Sequence, residues 1–95
     1  HRQRMSVAQW GTASVDFLLA SDFIPGDLRP AYEAAARGCL RLAEATFEAV
    51  GAVQEIRLHG DCHVGNILWT EAGPHFVDLD DCMTGPAVQD LWMML

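Results

Sequence analysis

The chain contains 95 residues, of which 51% are hydrophobic and 20% are charged. This length and composition predict one small folded domain and exclude a disordered segment. Thirteen acidic against six basic residues give a net charge of −7, which argues against binding to nucleic acid or to an anionic membrane. No apolar run approaches the roughly 18 residues that span a bilayer. The three widely spaced cysteines predict reduced thiols and a cytoplasmic protein rather than a disulfide framework.

Two helices are predicted in the first half, after an unpatterned lead-in over residues 1–11. A short helix is expected over residues 12–20 and is followed by a break at Ile24-Pro25-Gly26. A longer helix of about six turns is predicted to begin after an N-cap at Asp27 and to end at Gly51. Its apolar residues recur at three- and four-residue steps and comprise Leu28, Tyr32, Ala35, Cys39, Leu42, Ala43, Phe47 and Val50.

Short strands and polar loops replace this helical pattern in the second half. The predicted elements are a strand at 56–58, a loop at 59–65, a hairpin of strands 67–69 and 75–78 with a five-residue connection, a polar loop at 80–85, and a final helix that Pro86 opens. The polar residues concentrate at the ends of the apolar strands. Side chains in such places are held rigidly and are accessible to ligands.

The register of the hairpin suggests a metal site. If Trp69 faces His75, then Asn66 faces Asp78, with Cβ atoms about 4.5–5.5 Å apart. An amide oxygen and a carboxylate at that spacing are able to share one hard cation such as Mg²⁺. Asp61 would lie nearby and remain free to act as a base. Two metal ligands and one unliganded carboxylate are the parts that phosphoryl transfer requires.

Several alternatives to this interpretation stay open. A zinc site would draw on residues within one short span, namely His59, Cys62, His63, His75 and Cys82, although no zinc-finger spacing accompanies them. A polar cap on the hairpin, with Asp61 in an Asx-turn, would need no ligand. A non-catalytic binding module is the third alternative. A P-loop is rejected, because the Gly60 to Gly65 spacing lacks the following Lys-Ser/Thr and leads into a strand.

The motif His59-Gly60-Asp61 with Asn66, followed by Phe76-Val77-Asp78, resembles the catalytic loop and metal-binding strand of aminoglycoside phosphotransferase-type kinases. Members of that superfamily share the protein-kinase fold. The sequence over residues 57–69, 76–81 and 85–92 resembles in particular a bacterial branch that phosphorylates serine and threonine in proteins. The likeness is dense in the second half of the chain and loose in the first.

The resemblance implies roles for the three central residues. Asp61 would be the catalytic base or the carboxylate that orients the attacking hydroxyl. Asn66 and Asp78 would hold Mg²⁺ against the phosphates of ATP, which makes Asp78 both a catalytic and a metal-binding residue.

Supporting roles are expected for four further residues. The resemblance makes Asp90 a brace that accepts backbone hydrogen bonds from the catalytic loop, although an acid in the first turn of a helix is favourable without any such role. His59 is expected to anchor the same loop by hydrogen bonds. His63 is a candidate for contact with phosphate or substrate, although a purely structural role is the favoured alternative. Asp80 either tunes the metal or is solvated.

These observations predict an α+β fragment, in which residues 1–95 form part of the C-terminal lobe of a kinase-like domain. The chain contains no lysine and ends on an uncapped apolar stretch, so we expect the nucleotide-binding lobe and the C-terminal remainder to lie elsewhere in a longer protein. The expected activity of that protein is Mg²⁺-dependent transfer of the ATP γ-phosphoryl group to a serine or threonine hydroxyl. The alternative acceptor is a small-molecule alcohol of the aminoglycoside, choline or homoserine type, and the isolated chain is expected to be inactive.

Overall fold

The computed structural model describes residues 3–95, and their mixture of helices and short antiparallel strands confirms the predicted α+β class. They divide into two compact units. The helical unit is Ser6–Ala52, and the loop unit comprises Val53–Leu95 together with residues 3–5. Residues 1 and 2, which belong to the predicted lead-in, lie outside the described part of the chain.

The helical unit begins earlier than the sequence pattern suggests. A π-helical segment at Ala8–Thr12 runs directly into helix α1, Ala13–Ala20. The Ser6 hydroxyl accepts the backbone N–H of Gln9 at 3.2 Å, which satisfies one of the free donors at the start of a helix. The prediction of an unpatterned lead-in up to residue 11 is therefore wrong for its second half.

Helix α2 occupies Arg29–Val50, close to the predicted bounds. The predicted N-cap at Asp27 is wrong, because a turn closes there, with the N–H of Leu28 bonded to the carbonyl of Pro25 at 3.0 Å. The helix ends as predicted at Gly51, whose φ of 72° is a conformation that favours glycine.

The apolar stripe predicted for α2 is only partly covered. Leu42 is 70% exposed and Phe47 is 45% exposed. Leu40, which the predicted stripe omits, packs so closely against Gly11 that a Cβ at Gly11 would overlap its Cδ2 atom. Periodicity identifies which residues lie on one helix face, but the neighbouring element decides which face is covered.

The loop unit contains two small sheets. Strand β1, Glu55–Leu58, pairs antiparallel with β4, Met83–Pro86. Strand β2, Ile67–Thr70, pairs antiparallel with β3, Gly73–Phe76. The start of the chain joins the first sheet, since Arg4 forms a parallel bridge with Thr84 of β4.

Strand β4 lies where the sequence predicted the polar loop 80–85. Met83 and Gly85 are both buried, whereas the intervening Thr84 is half-buried, so the side chains follow the two-residue period of a strand. A Cβ at Gly85 would lie 2.9 Å from Cδ1 of the buried Leu58. The strand forms because its backbone fits against β1. A Thr-Gly-Pro sequence has low strand propensity and does not predict this tertiary contact.

The hairpin has a shorter connection and a different register from those predicted. Only Glu71 and Ala72 lie between β2 and β3, and Leu68, rather than Trp69, is opposite His75. Gly73, with a φ of 105°, follows the turn directly and lets the strand restart two residues earlier than expected. The register is therefore shifted by one residue. Each side chain of one strand consequently lies on the opposite face of the sheet from the residue that was expected to be its partner.

The last helix, α3, is short and spans Val88–Trp92. The prediction that Pro86 opens this helix is wrong. Pro86 is the last residue of β4, and Ala87 occupies the N-cap position of α3. In the part of the chain that the structure describes, no helix is both long and apolar enough to cross a membrane.

Candidate active site

His59 joins the two loops that carry the predicted site residues. The ring is buried, and its Nε2 lies 2.8 Å from the carbonyl oxygen of Val77. Its Nδ1 accepts the backbone N–H of Asp61 at 3.4 Å. A carbonyl oxygen only accepts hydrogen bonds, so these two partners require the tautomer that is protonated at Nε2. The imidazole thereby holds the loop after β1 against the segment after β3.

Asp90 binds the same loop from helix α3. One carboxylate oxygen, Oδ2, accepts the backbone N–H of His59 at 2.7 Å, and the other, Oδ1, accepts the N–H of Gly60 at 3.0 Å. Hydrogen bonds to a charged acceptor are stronger than those between neutral groups. The carboxylate thus binds two consecutive backbone N–H groups of the loop that leads to Asp61.

Gly60 allows the loop after β1 to approach closely the loop that precedes β4. Its φ is 93°, and a Cβ at this position would overlap the backbone carbonyl of Asp81. The obstructing atoms belong to the backbone, so they are unable to rotate out of the way as a side chain would. Sequence reasoning assigned Gly60 no role of its own, although its place inside the His59-Gly60-Asp61 motif was a signal for a close backbone contact.

The Asp61 carboxylate is held on one side. The side-chain amide of Asn66 donates to the backbone carbonyl of Asp61 at 2.9 Å and to its Oδ2 at 3.2 Å. The Nε2 atom of His63 lies 3.4 Å from the same Oδ2. No described residue donates a hydrogen bond to Oδ1, and the side chain is 37% exposed. A fixed, accessible carboxylate oxygen is what a proton acceptor requires.

The predicted pairing of Asn66 with Asp78 is wrong by one residue. The carbonyl of Asn66 accepts the backbone N–H of Val77 at 3.0 Å, so Val77 and not Asp78 is its neighbour across the extended hairpin. Asp78 follows with a φ of 60°, a left-handed conformation that Asp and Asn tolerate better than most residues. The two side chains are therefore not directly opposed, as the counted register required.

The chemistry of the Asn66 and Asp78 side chains nevertheless suits a hard cation. The amide nitrogen of Asn66 donates to two oxygens of Asp61, which leaves the side-chain carbonyl oxygen, Oδ1, to coordinate a cation. Asp78 is exposed and adds an anionic oxygen pair. Neutral and charged oxygens of this kind fit Mg²⁺, which takes one or two protein ligands and keeps several waters.

The remaining candidates are Asp80 and the residues of the alternative zinc site. Asp80 is exposed in the loop that leads to β4. The structure gives the zinc alternative no support, because residues 3–95 contain no group of three or more His, Cys, Asp or Glu side chains able to hold a metal ion. Cys62 is buried at 3% exposure, and that burial, followed by the charges of Asp90 and Asp61, raises the pKa of its thiol. Cys62 is thus part of the small apolar core of the loop unit.

This constellation and the fold around it place the chain in a class of enzymes. Residues 11–95 match the model of the Phosphotransferase enzyme family, and the chain belongs to that family. The predicted resemblance to aminoglycoside phosphotransferase-type kinases is thereby confirmed.

Curated relatives within that class are kinases by name. Stress response kinase A of Escherichia coli strain K12 is 58% identical over 60 residues, which cover 55% of this chain and 18% of that protein. Stress response kinase A of Salmonella choleraesuis strain SC-B67 is 72% identical over 40 residues, covering 42% of this chain and 12% of that protein. Serine/threonine protein kinase RdoA of Salmonella typhimurium strain LT2 gives the same values.

These relatives confirm the bacterial branch that the flanking sequence indicated, which is that of stress response kinase A. The aligned part of the chain spans less than a fifth of the length of each of them.

Proposed function

We propose that this chain is the catalytic-loop region of an ATP-dependent kinase that phosphorylates serine or threonine hydroxyls in proteins. The observation that carries the proposal is the Asp61 carboxylate, whose Oδ2 lies beside Asn66 and His63 while Oδ1 has no described donor. The family and the names of the relatives support the same reaction. The word serine/threonine in the name of one relative favours a protein acceptor over a small-molecule alcohol.

In the proposed reaction, Asp61 orients the acceptor hydroxyl and takes its proton through Oδ1. The hydroxyl oxygen forms a bond to the γ-phosphorus as the bond from that phosphorus to the β,γ-bridging oxygen breaks, which releases ADP. Transition states of this kind are stabilised mainly by positioning and by neutralisation of charge. The braces at His59 and Asp90 would keep the loop, and therefore Asp61, in place during that step.

Asn66 and Asp78 would hold the magnesium ion of Mg²⁺·ATP in this scheme. Asn66 would contribute its amide oxygen, because its amide hydrogens are bonded to Asp61. Asp78 would contribute the charge. When bound, the metal supplies charge neutralisation at the phosphates. Asp80 would remain a solvated neighbour that adds negative potential.

A longer protein would complete the site. Kinases of this fold pair the ATP phosphates with a lysine, and this chain has none. The relatives are also several times longer than the matched segment. The nucleotide-binding lobe would come from the rest of that protein, and the 95-residue chain alone would not turn over ATP. A cytoplasmic location belongs to the same proposal and agrees with three free cysteines.

The proposal is tested on Asp61→Asn in the full-length protein that contains this chain. With radiolabelled ATP, Mg²⁺ and a mixture of casein and myelin basic protein, the variant should lose about 10²–10⁴-fold in kcat, the range of general-base catalysis. The KM for ATP should change little, because Asp61 acts on the acceptor. Asp22→Asn, an equivalent change at an exposed residue of the helical unit, serves as the matched control and should leave kcat unchanged.

Two results would count against this function. An Asp61→Asn variant that folds and retains full kcat would reduce Asp61 to a turn residue. Wild-type transfer to kanamycin, choline or homoserine, without transfer to the protein mixture, would replace the protein acceptor by a small-molecule alcohol.

A further inference from the structure

The two nitrogens of the His63 ring have different partners. Nδ1 accepts the backbone N–H of Gly65 at 3.0 Å and so caps the 3₁₀ turn Val64–Asn66. Nε2 lies 3.4 Å from Oδ2 of Asp61. The first contact is a local one that stabilises a turn, whereas the second reaches the proposed catalytic carboxylate.

The cap determines where the ring proton lies. A nitrogen that accepts an N–H carries no proton of its own, so the neutral ring has its proton on Nε2, the atom nearest to Asp61. The backbone of the 3₁₀ turn thus selects the tautomer that presents a donor to the carboxylate. Donor distances of this kind are commonly long before substrate binds and shorten in the productive complex.

Gly65 provides the space for this arrangement. A Cβ at that position would lie 2.8 Å from Cε1 and 3.0 Å from Nδ1 of the His63 ring, closer than atoms normally approach. The φ of Gly65 is not in the left-handed region, so the backbone alone does not require glycine there. The requirement comes from the imidazole that packs on it.

We propose that His63 is a positioning residue for the phosphoryl-transfer step, which rests on the proposed function. The Asn66 amide already donates to Oδ2 of Asp61, and the Nε2–H of His63, 3.4 Å from the same oxygen, would close to a second donor in the productive complex, so that Oδ1 is directed to the acceptor hydroxyl. His63 then acts through Asp61 and not on ATP. This differs from the contact with phosphate that the sequence alone suggested for His63.

Two substitutions separate the contacts of His63. His63→Asn retains an oxygen at the place of Nδ1, which caps the turn as asparagine commonly does, but it removes the donor to Asp61. His63→Gln extends an amide N–H to the place of Nε2 but removes the cap. Both are made in the full-length protein and assayed with ATP, Mg²⁺ and the casein and myelin basic protein mixture.

We expect His63→Asn to keep the melting temperature of the wild type and to lose about 10- to 100-fold in kcat, the usual effect of removing an orienting partner. Its KM for ATP should not change. His63→Gln should keep kcat within about threefold of wild type while the melting temperature falls by about 2–4 °C. Gly65→Ala, which leaves residue 63 unaltered and displaces its ring, should lower kcat in the same direction as His63→Asn.

A wild-type kcat for His63→Asn would overturn the proposal and leave His63 as a turn cap. A raised KM for ATP with unchanged kcat would overturn it in favour of the phosphate contact. An independent check is the imidazole nitrogen spectrum of the nitrogen-15-labelled full-length protein, where a His63 ring protonated at Nδ1 alone would also contradict it. Wild type and Asp61→Asn are assayed alongside. If both are inactive, the proposed function fails, whereas a failure at His63 alone leaves that function intact.

Discussion

The polar side chains of the helical unit and those of the loop unit bind different kinds of partner. In the helical unit, Arg29 donates to the carbonyls of Leu19, in the last turn of α1, and of Ser21, which follows that helix. Arg37 pairs with Asp16 at 2.7 Å on the surface. The Arg29 contacts satisfy carbonyls at the end of α1 and place a positive charge there, which offsets the helix dipole. They explain a stable helix pair without any ligand.

In the loop unit, three polar side chains around the Asp61 loop bind its backbone or the backbone beside it. Asp90 accepts two of its N–H groups, His59 ties it to Val77, and Asn66 ties its two ends together at Asp61. The regular elements there are short, so side chains supply the rigidity that helices and strands supply elsewhere. Equivalent substitutions in the two units should therefore have unequal effects.

The largest contrast should come from the proposed metal ligand Asp78 and an acid of the helical unit. Asp78→Asn should lower the activity of the full-length protein by at least about 10²-fold at fixed Mg²⁺, because a bound metal supplies several kcal/mol to the transition state. Asparagine tolerates the φ of 60°, so folding should be little affected. Asn66→Ala removes a neutral ligand together with the hydrogen bonds to Asp61, so it should cost at least about tenfold, and added Mg²⁺ should rescue only the part due to the lost ligand. The measurement is a titration of activity against Mg²⁺, with Asp22→Asn as control, and equal Mg²⁺ constants for all variants would remove both residues from the metal site.

Two glycines provide the next contrast. Gly60→Ala should lower the free energy of unfolding by about 3 kcal/mol, since it combines an unfavourable positive φ with a clash against the backbone of Asp81. Gly26→Ala in the helical unit meets nothing within 4 Å and should be neutral or slightly stabilising. Urea unfolding of the full-length variants measures both. A neutral Gly60→Ala would mean that the two loops are not packed against each other as described.

Two aspartates should differ by a smaller amount. Asp90→Asn places an amide donor against one of the two backbone N–H groups and should cost about 2 kcal/mol, because a charge-assisted hydrogen bond is lost. Asp16→Asn removes only the exposed pair with Arg37 and should cost about 0–1 kcal/mol. Urea midpoints decide this comparison, and kcat should fall only for Asp90→Asn. Equal midpoints would show that the Asp90 brace contributes no stability.

The last comparison is between the buried thiol of Cys62 and the exposed thiol of Cys39, where the effect on the free energy of unfolding should be the smallest. Burial and the neighbouring carboxylates raise the pKa of Cys62, whereas Cys39 is exposed on α2. The folded chain thus keeps the Cys62 proton at a pH where the unfolded chain, with a thiol pKa near 9.0, releases it. This contribution is fully present below pH 9.0 and is lost as the pH rises above that value toward the raised pKa of the folded state.

At pH 8, iodoacetamide should modify Cys62 on the order of 10²-fold more slowly than Cys39 in the folded protein. Peptide mass spectrometry over a time course measures the two rates. Equal rates would contradict the burial of Cys62. Repeating the alkylation in urea is the control, since unfolding should make the two thiols similar in reactivity.

The sequence alone was sufficient for the features that depend on local pattern. The three- and four-residue spacing of apolar positions predicted α2 within two residues of its start, and Gly51 marked its end. A short β-rich run predicted β1. The motif around Asp61 and Asn66 identified the family, because its residue types and spacings are readable without coordinates.

Only the tertiary structure decided which backbones lie side by side. Strand β4 forms because β1 supplies its partner, and the hairpin register depends on where Gly73 takes a positive φ. A register shift of one residue leaves the composition unchanged, and yet it makes Val77 rather than Asp78 the neighbour of Asn66 across the hairpin. The tautomer of His63 and the two bonds of Asp90 likewise depend on donors that belong to other residues. Hydrogen bonds and close packing between segments require atoms to meet within a few ångströms and in the right direction. A local sequence pattern shows which residues are available for such contacts, but it does not show the distance or direction at which those residues meet.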